Sequence, residues 1–330
     1  MVQDLLRLGD EQHLYFNELQ IHDVLVENIL EFMEYLKIFY QDWHNSDTLV
    51  TLPKKQIFQT QDSKGDFRIM PCIIHNDYKI KAVKIIGTNE ENRVIKDKIC
   101  VGKSFLIHPY DNFIYAMFDV CALSSFRTAA ISVLAYHLLN TIQASGVGII
   151  GCGRIGFYTA LILNKWLNVN HFYCNDINQT NQENFLKLAE EYMAEIHIDF
   201  MPITKMETVC DSIFLATDST KAILHANNTT NIKFISSVGA DADNLSELDA
   251  NLLEGRTVVV DSYHSMMLGD LKAWEDQNIL DRKSVLELRT FINNQNNPPQ
   301  NIVFISTGIA TQDALISQFI YDKLTKNNQN

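Results

Sequence analysis

With 330 residues, of which 46% are hydrophobic, the chain is long enough to bury a sizeable core and to form about two domains. Its formal charge of −13 argues against nucleic acid or an anionic membrane as a partner, because either needs a basic face. No apolar run nears the roughly 20 residues that cross a bilayer, and the start (Met1, Val2, Gln3, Asp4) lacks the basic-then-apolar layout of a signal peptide, so a cytoplasmic protein is expected.

Residues 3–45 read as helical, with Val24, Leu25, Ile29, Leu30, Phe32, Met33 and Leu36 recurring at steps of three and four. Residues 50–118 change character. β-rich runs at 79–86, 104–107 and 113–118, separated by polar turns at 61–66, 89–92 and 109–112, predict a mainly antiparallel sheet. Helical patterning returns at 128–140. From Gly146 onward strands alternate with helices: strands at 147–150, 171–174, 196–200, 212–217, 233–238 and 257–260, and helices up to residue 167 and over 179–194. That alternation calls for a parallel sheet with helical crossovers, so an α+β domain is expected to precede a doubly wound α/β domain. A polar loop at 293–301, a strand at 302–305 and a helix at 311–323 come before an Asn-rich tail.

Gly151, Gly153 and Gly156 follow the first of these strands and open a helix. In that setting the first glycine allows a tight turn, the second lets a pyrophosphate approach the backbone, and the third packs helix on strand. The helix start then offers N–H groups and a positive dipole to phosphate. Asp176, at the end of the next strand, can accept hydrogen bonds from an adenosine ribose and would repel a 2′-phosphate. No Arg or Lys follows it until Lys187, which favours NAD over NADP. Arg154 and Ile155 in the turn and Thr217 at the end of the 212–217 strand join the expected cofactor contacts. Cys152 and Arg154 are expected to face cofactor or solvent. The alternative is that the glycines serve packing alone. The six cysteines are scattered without a CxxC pair and read as buried reduced thiols, and the ten histidines form no HExxH, so no metal is expected.

Arg127 opens a helix whose other residues are mostly apolar or small, and Lys84 interrupts the apolar run Ala82-Val83-Lys84-Ile85-Ile86. Each suits a grip on a substrate carboxylate, where a charge-assisted hydrogen bond contributes about 1.5–3 kcal/mol. A surface cap for Arg127 and a solvated strand face for Lys84 are the competing readings.

The run Leu123-Ser124-Ser125-Phe126-Arg127-Thr128-Ala129-Ala130, the glycine turn that follows it, and Ser237-Val238-Gly239-Ala240-Asp241 with Glu247-Leu248-Asp249 and Asp261-Ser262 resemble the ornithine cyclodeaminase/mu-crystallin family. The resemblance runs from about Pro53 to the last helix. It implies a homodimer joined through its β-rich domains, with a Rossmann NAD-binding domain (129–310) inserted in an α+β substrate-binding and dimerisation domain (1–128 plus 311–330). It further implies that Arg127 and Lys84 grip the carboxylate of a small amino-acid substrate and that Asp241 is the acid facing the amine. Residues 306–313 would close the cleft, with Asp313 capping the last helix. A family arginine upstream of Met70-Pro71 is replaced by a lysine, Lys55, which cannot form a bidentate fork. The stretches at 84–89 and 122–130 are similar to the dehydrogenases that release 2,3-diaminopropionate and 2-oxoglutarate from N-(2-amino-2-carboxyethyl)-L-glutamate. Cyclodeaminase chemistry with recycled NAD, or non-catalytic binding of crystallin type, is the alternative.

Overall fold

The computed structural model describes residues 11–59, 65–88, 100–139, 146–226, 229, 231–242, 244–292 and 299–326. Residues 3–10 of the expected first helix, the 89–92 turn, most of the 61–66 turn, residues 293–298 of the polar loop and the tail from 327 lie outside this set. The chain divides into two compact units, one made of residues 1–27, 48–124 and 310–330, the other of 28–47 and 125–309. The 28–47 segment, which the sequence reading assigns to the first domain, therefore belongs with the second unit.

Among the described residues the first unit opens on β1 (Leu14–Phe16) and helix α1 (Glu18–Glu27), in place of one continuous helix. The helical periodicity carries on through Ile29, but β1 is drawn into parallel pairing with a distant strand, where Phe16 stacks on Phe118 at 5.1 Å. After helix α2 (Ile29–Asn45), which is counted with the second unit, come β2 (Val50–Thr51), β3 (Gln56–Phe58), β4 (Asp66–Ile74), β5 (Ile80–Thr88), β6 (Cys100–Ile107) and β7 (Ile114–Asp119). The sheet order is β1-β7-β6-β5-β4-β2, with β3 beside β4, and every pairing except β1 with β7 is antiparallel. Period-two alternation puts Met70, Cys72 and Ile74 of β4 on one buried face with Ile80, Ala82 and Ile86 of β5. The opposite face leaves Phe58, Phe67, Ile85 and Val101 exposed.

Helix α3 (Cys121–Leu139) starts seven residues earlier than patterning suggests. Its start is capped from far away: the Glu18 carboxylate accepts hydrogen bonds from the Cys121 and Ala122 N–H groups at 3.1 and 2.7 Å. This helix is long and apolar enough by composition to cross a membrane, contrary to the expectation of no such run, but nearly all of it is buried inside the protein. Phe126 shows why: it is 0% exposed and meets Phe32 and Tyr158 edge-on. Losing such a ring costs about 3–5 kcal/mol.

The second unit continues with β8 (Val147–Ile150), α4 (Arg154–Leu167), β9 (His171–Asn175), α5 (Gln179–Tyr192), β10 (His197–Phe200), α6 (Ile203–Val209), β11 (Ser212–Leu215), β12 (Thr220–Leu224), β13 (Phe234–Ser237), β14 (Ser246–Leu248), β15 (Thr257–Val260), α7 (Gly269–Asp276), β16 (Leu286–Glu287) and β17 (Ile302–Ile305). Helix α8 (Ala310–Lys326) then returns to the first unit. The main sheet is wholly parallel, in the order β10-β9-β8-β11-β13-β17-β15-β16. This is the doubly wound arrangement, and chain direction across the sheet reverses between β8 and β11, the switch point where such sheets take their ligands. β8, β11, β13 and β17 are buried on both faces, as continuous apolar strands require.

Candidate functional site

The glycine turn lies at that switch point, and its three glycines are needed for three different reasons. Gly151 has φ +98°, and a Cβ there would stand 2.4 Å from the Ala216 carbonyl oxygen after β11. Gly156 lets α4 close on β8, since its Cβ would meet Gly151 O at 2.0 Å and Ile149 Cγ2 at 3.3 Å. Around Gly153 a Cβ would meet nothing within 4 Å. Gly153 is also the N-cap of α4 and offers no side chain to the first-turn N–H groups. Open space over an uncapped helix start fits a pyrophosphate held by backbone N–H groups. Arg154 is exposed and Ile155 half-buried in the first turn. Cys152 does not face cofactor or solvent as expected. It is 4% exposed, with its thiol directed at the Asn175 carbonyl at 3.6 Å.

Asp176 stands one residue beyond β9. Its Oδ2 accepts from Cys152 N at 2.8 Å and Asn181 Nδ2 at 3.2 Å, and its Oδ1 accepts from Asn178 N at 2.8 Å. The carboxylate thereby ties the glycine turn to the start of α5. A carboxylate has about four acceptor positions, so Oδ1 keeps capacity for one further donor such as a ribose hydroxyl.

Thr217 and Asp241 sit on the loops after β11 and β13, and one residue that sequence reasoning did not single out as functional joins those loops. Glu247, on β14, is 0% exposed. Its Oε1 accepts from Thr217 N and Oγ1 at 2.6 and 2.8 Å, and its Oε2 accepts from Ser237 Oγ and Gly239 N at 2.6 and 2.9 Å. Burial pushes this carboxyl above its ordinary value, opposed by the four hydrogen bonds. The Thr217 hydroxyl proton is committed to Glu247. Asp241 is half-buried, and its N–H donates to Gly239 O at 3.0 Å. In the sequence Glu247 is one of seven acids between residues 212 and 262, in the run Ser246-Glu247-Leu248-Asp249, a setting that also fits an exposed loop.

Arg127 does not open a helix; it lies in the second turn of α3 and is 8% exposed. Its guanidinium lies against Gly308, where a Cβ would come within 2.7 Å of both Nη atoms. Gly308 has φ +77° and donates its N–H to Ser306 Oγ at 3.2 Å. Ser306 in turn donates to Asp261 Oδ2 at 2.5 Å, while Asp261 Oδ1 accepts from Ser265 Oγ at 2.6 Å. The Asp261-Ser262 motif is therefore a buried brace for the loop that packs against Arg127.

In the first unit Lys84 is not on a solvated strand face. Its side chain is 1% exposed on the covered face of β5, and Nζ donates to Asp313 Oδ1 at 2.7 Å and to Ser124 Oγ at 3.5 Å. The alternation was legible, but it is Ile85 that points outward, at 40% exposure. Asp313, expected as a helix cap, is the fourth residue of α8 and the partner of this buried ion pair. Cys72, which donates to Thr311 Oγ1, has its thiol pushed up to about 12 by burial. Lys55 is half-buried in the loop before β3. Arg68 shares the covered face with Lys84 and makes a two-pronged contact with Asp66 at 2.8 and 2.9 Å. It is a buried arginine in the Phe67-Arg68-Ile69-Met70-Pro71 stretch that the sequence reading passed over.

An alanine dehydrogenase of Archaeoglobus fulgidus is 24% identical over 276 residues, covering 80% of this chain and 82% of its own. The N-((2S)-2-amino-2-carboxyethyl)-L-glutamate dehydrogenase of Staphylococcus aureus is 34% identical over 88 residues, 26% of each chain. The solved archaeal alanine dehydrogenase dimer with bound NAD superposes with a TM-score of 0.84 at 20% identity, covering 96% of this chain and 98% of that one. The family model of ornithine cyclodeaminase/mu-crystallin matches residues 18–328, and the chain belongs to that family.

Proposed function

We propose that the protein is an NAD-dependent amino-acid oxidoreductase that oxidises an amino acid or N-substituted amino acid at the α-carbon to an imine, which water then hydrolyses. The observation that carries this is the open Gly153 position over the uncapped start of α4, with Asp176 beside it accepting from backbone and amide N–H donors. Bound there, NAD supplies a hydride acceptor. The chain's own residues do the remaining work: Gly151, Gly153, Arg154, Ile155, Gly156 and the Thr217 loop receive the dinucleotide. Lys84, Lys55 and Arg127 offer cations to the substrate carboxylate, and Asp241 orients the amine or takes a proton from water. The domain division at residues 128 and 310 belongs to this reading.

The finer reading is release of 2,3-diaminopropionate and 2-oxoglutarate from an N-substituted glutamate. Loss of the α-hydrogen and the amine proton makes the C=N bond; water adds to the carbon, and the C–N bond breaks to leave the keto acid and the free amine. The 34% identity to the Staphylococcus enzyme over 88 residues supports it. We extend the reading to a cytoplasmic homodimer. Six free thiols suit a reducing compartment, and the exposed Phe58, Phe67, Ile85 and Val101 on one sheet face suit pairing with a second copy.

The test is absorbance at 340 nm with NAD and a panel of amino acids including the N-substituted glutamate. Accumulating NADH with keto acid supports the dehydrogenase. Ammonia without NADH replaces it by a cyclodeaminase, and bound NAD without turnover replaces it by a binder. Arg127→Ala with undiminished turnover overturns the assignment of that residue.

A further inference from the structure

The geometry points to a divalent transition-metal site on the edge of the parallel sheet, formed by His171, His197 and Asp199. No HExxH marks it, because the ligands come from two neighbouring strands and are assembled by register. His171 on β9 and His197 on the edge strand β10 are paired across the parallel ladder, and Asp199 lies two residues further along β10, on the same face. One nitrogen of each imidazole converges on one carboxylate oxygen: His171 Nε2 is 2.8 Å and His197 Nε2 is 3.3 Å from Asp199 Oδ2. All three ligand atoms lie within 4.8 Å of one another.

With metal–nitrogen and metal–oxygen bonds of about 2.0–2.2 Å, the ligand atoms of a tetrahedral ion stand roughly 3.3–3.5 Å apart. The observed spacings reach that with small side-chain rotations and no change in the strands. An ion pair alone would be satisfied by one imidazole, or by two imidazoles divided between the two oxygens. Here both come to the same oxygen.

Two elements hold the ligands in place. Tyr173, two residues along β9, sets its ring 4.5 Å from that of His171, and His197 N donates to Asn170 O at 2.8 Å to fix the start of β10. The side chains are 41%, 68% and 43% exposed for His171, His197 and Asp199, so solvent can fill the fourth position. Two imidazoles and one carboxylate select Zn²⁺, Ni²⁺, Cu²⁺ or Co²⁺ over the oxygen-seeking Mg²⁺ and Ca²⁺. An ion there would clip an edge strand to its neighbour, so its role is structural and independent of the dinucleotide site.

The test uses the untagged full-length chain, stripped with a chelator and titrated calorimetrically with ZnCl₂. Co²⁺ serves as a visible spectroscopic probe, and thermal unfolding is recorded with and without Zn²⁺. The expected result is one Zn²⁺ per chain, tetrahedral d–d bands with Co²⁺, and a higher Tm when Zn²⁺ is present. His197→Ala and Asp199→Asn should each weaken binding by about 10- to 100-fold or more, since even an outer-sphere partner is worth that much, and should abolish the Tm rise. Because these side chains are exposed, the metal-free Tm of each variant should match that of the metal-free parent. No binding, or equal affinity in parent and variants as when thiols take the ion, overturns the proposal.

Discussion

Glu247 is a buried carboxylate whose oxygens accept four hydrogen bonds from hydroxyl and backbone N–H groups, and replacing it tests whether the loops carrying Thr217 and Asp241 are held from beneath. Glu247→Gln keeps the shape but puts an NH₂ where one oxygen was. On that side a hydroxyl can turn to accept, but the Thr217 or Gly239 backbone N–H cannot, so either placement of the amide leaves one fixed buried donor unpaired. An unpaired buried donor costs about 1–3 kcal/mol. Glu247→Ala strands both backbone donors, which doubles that to about 2–6 kcal/mol. Urea unfolding midpoints measure these losses, and NAD titration reads the loop, because a displaced Thr217 should weaken NAD in the same order, Ala more than Gln. The pH dependence isolates the carboxyl itself. Burial raises its folded value above the ordinary one, so the folded state holds the proton more tightly. That contribution is fully present below the ordinary carboxylate value and is lost as pH rises through the raised one. Glu247→Gln should erase this slope. A Gln variant with parental stability, parental slope and parental NAD affinity refutes the reasoning.

Three further changes probe other parts of the molecule. Lys84→Met leaves Asp313 buried without its cation and should cost about 3–5 kcal/mol, whereas Lys84→Met with Asp313→Leu should recover most of that in urea unfolding; equal midpoints for single and double variants would show that the pair is not the reason. Gly308→Ala places a Cβ 2.7 Å from both Arg127 Nη atoms at φ +77°. It should raise KM for the amino acid by about tenfold, roughly 1.4 kcal/mol, with NAD affinity unchanged; an unaltered KM would remove Arg127 from the substrate grip. His137 packs its ring 4.6 Å from Trp166, and burial holds its pKa below the ordinary 6.5. The unfolded chain therefore takes up the proton first, so stability should fall as pH drops below that value, and His137→Leu should flatten the decline; a slope unchanged in that variant assigns it elsewhere.

What the sequence made legible is what depends on neighbours in the chain. The three glycines, the acid 20 residues after the last of them and the strand–helix alternation state the parallel sheet and its switch point, because each is a local backbone requirement. The start of α3 was missed because its cap is Glu18, more than a hundred residues away. The first helix was drawn too long because β1 pairs with β7, a contact that periodicity does not carry. Lys84 shows the same limit more sharply. Alternation correctly set it against Val83 and Ile85, yet which face is covered depends on α8, over two hundred residues later, and it is α8 that supplies Asp313.

Glu247 and the Asp261 brace follow from this as a rule about where this fold hides function. A charge in an apolar context can be suspected from the sequence. A buried acid that only orders two loops reads like any other acid of that region, and its partners, Thr217, Ser237 and Gly239 for one and Ser265 and Ser306 for the other, are small residues with no pattern of their own. The residues proposed to touch substrate and cofactor are thus the more legible half of the site. The half that fixes their geometry is written in contacts, and mutations there should disturb NAD affinity and substrate KM separately: Glu247 acts through the Thr217 loop, and Asp261 through Ser306 and Gly308 on Arg127.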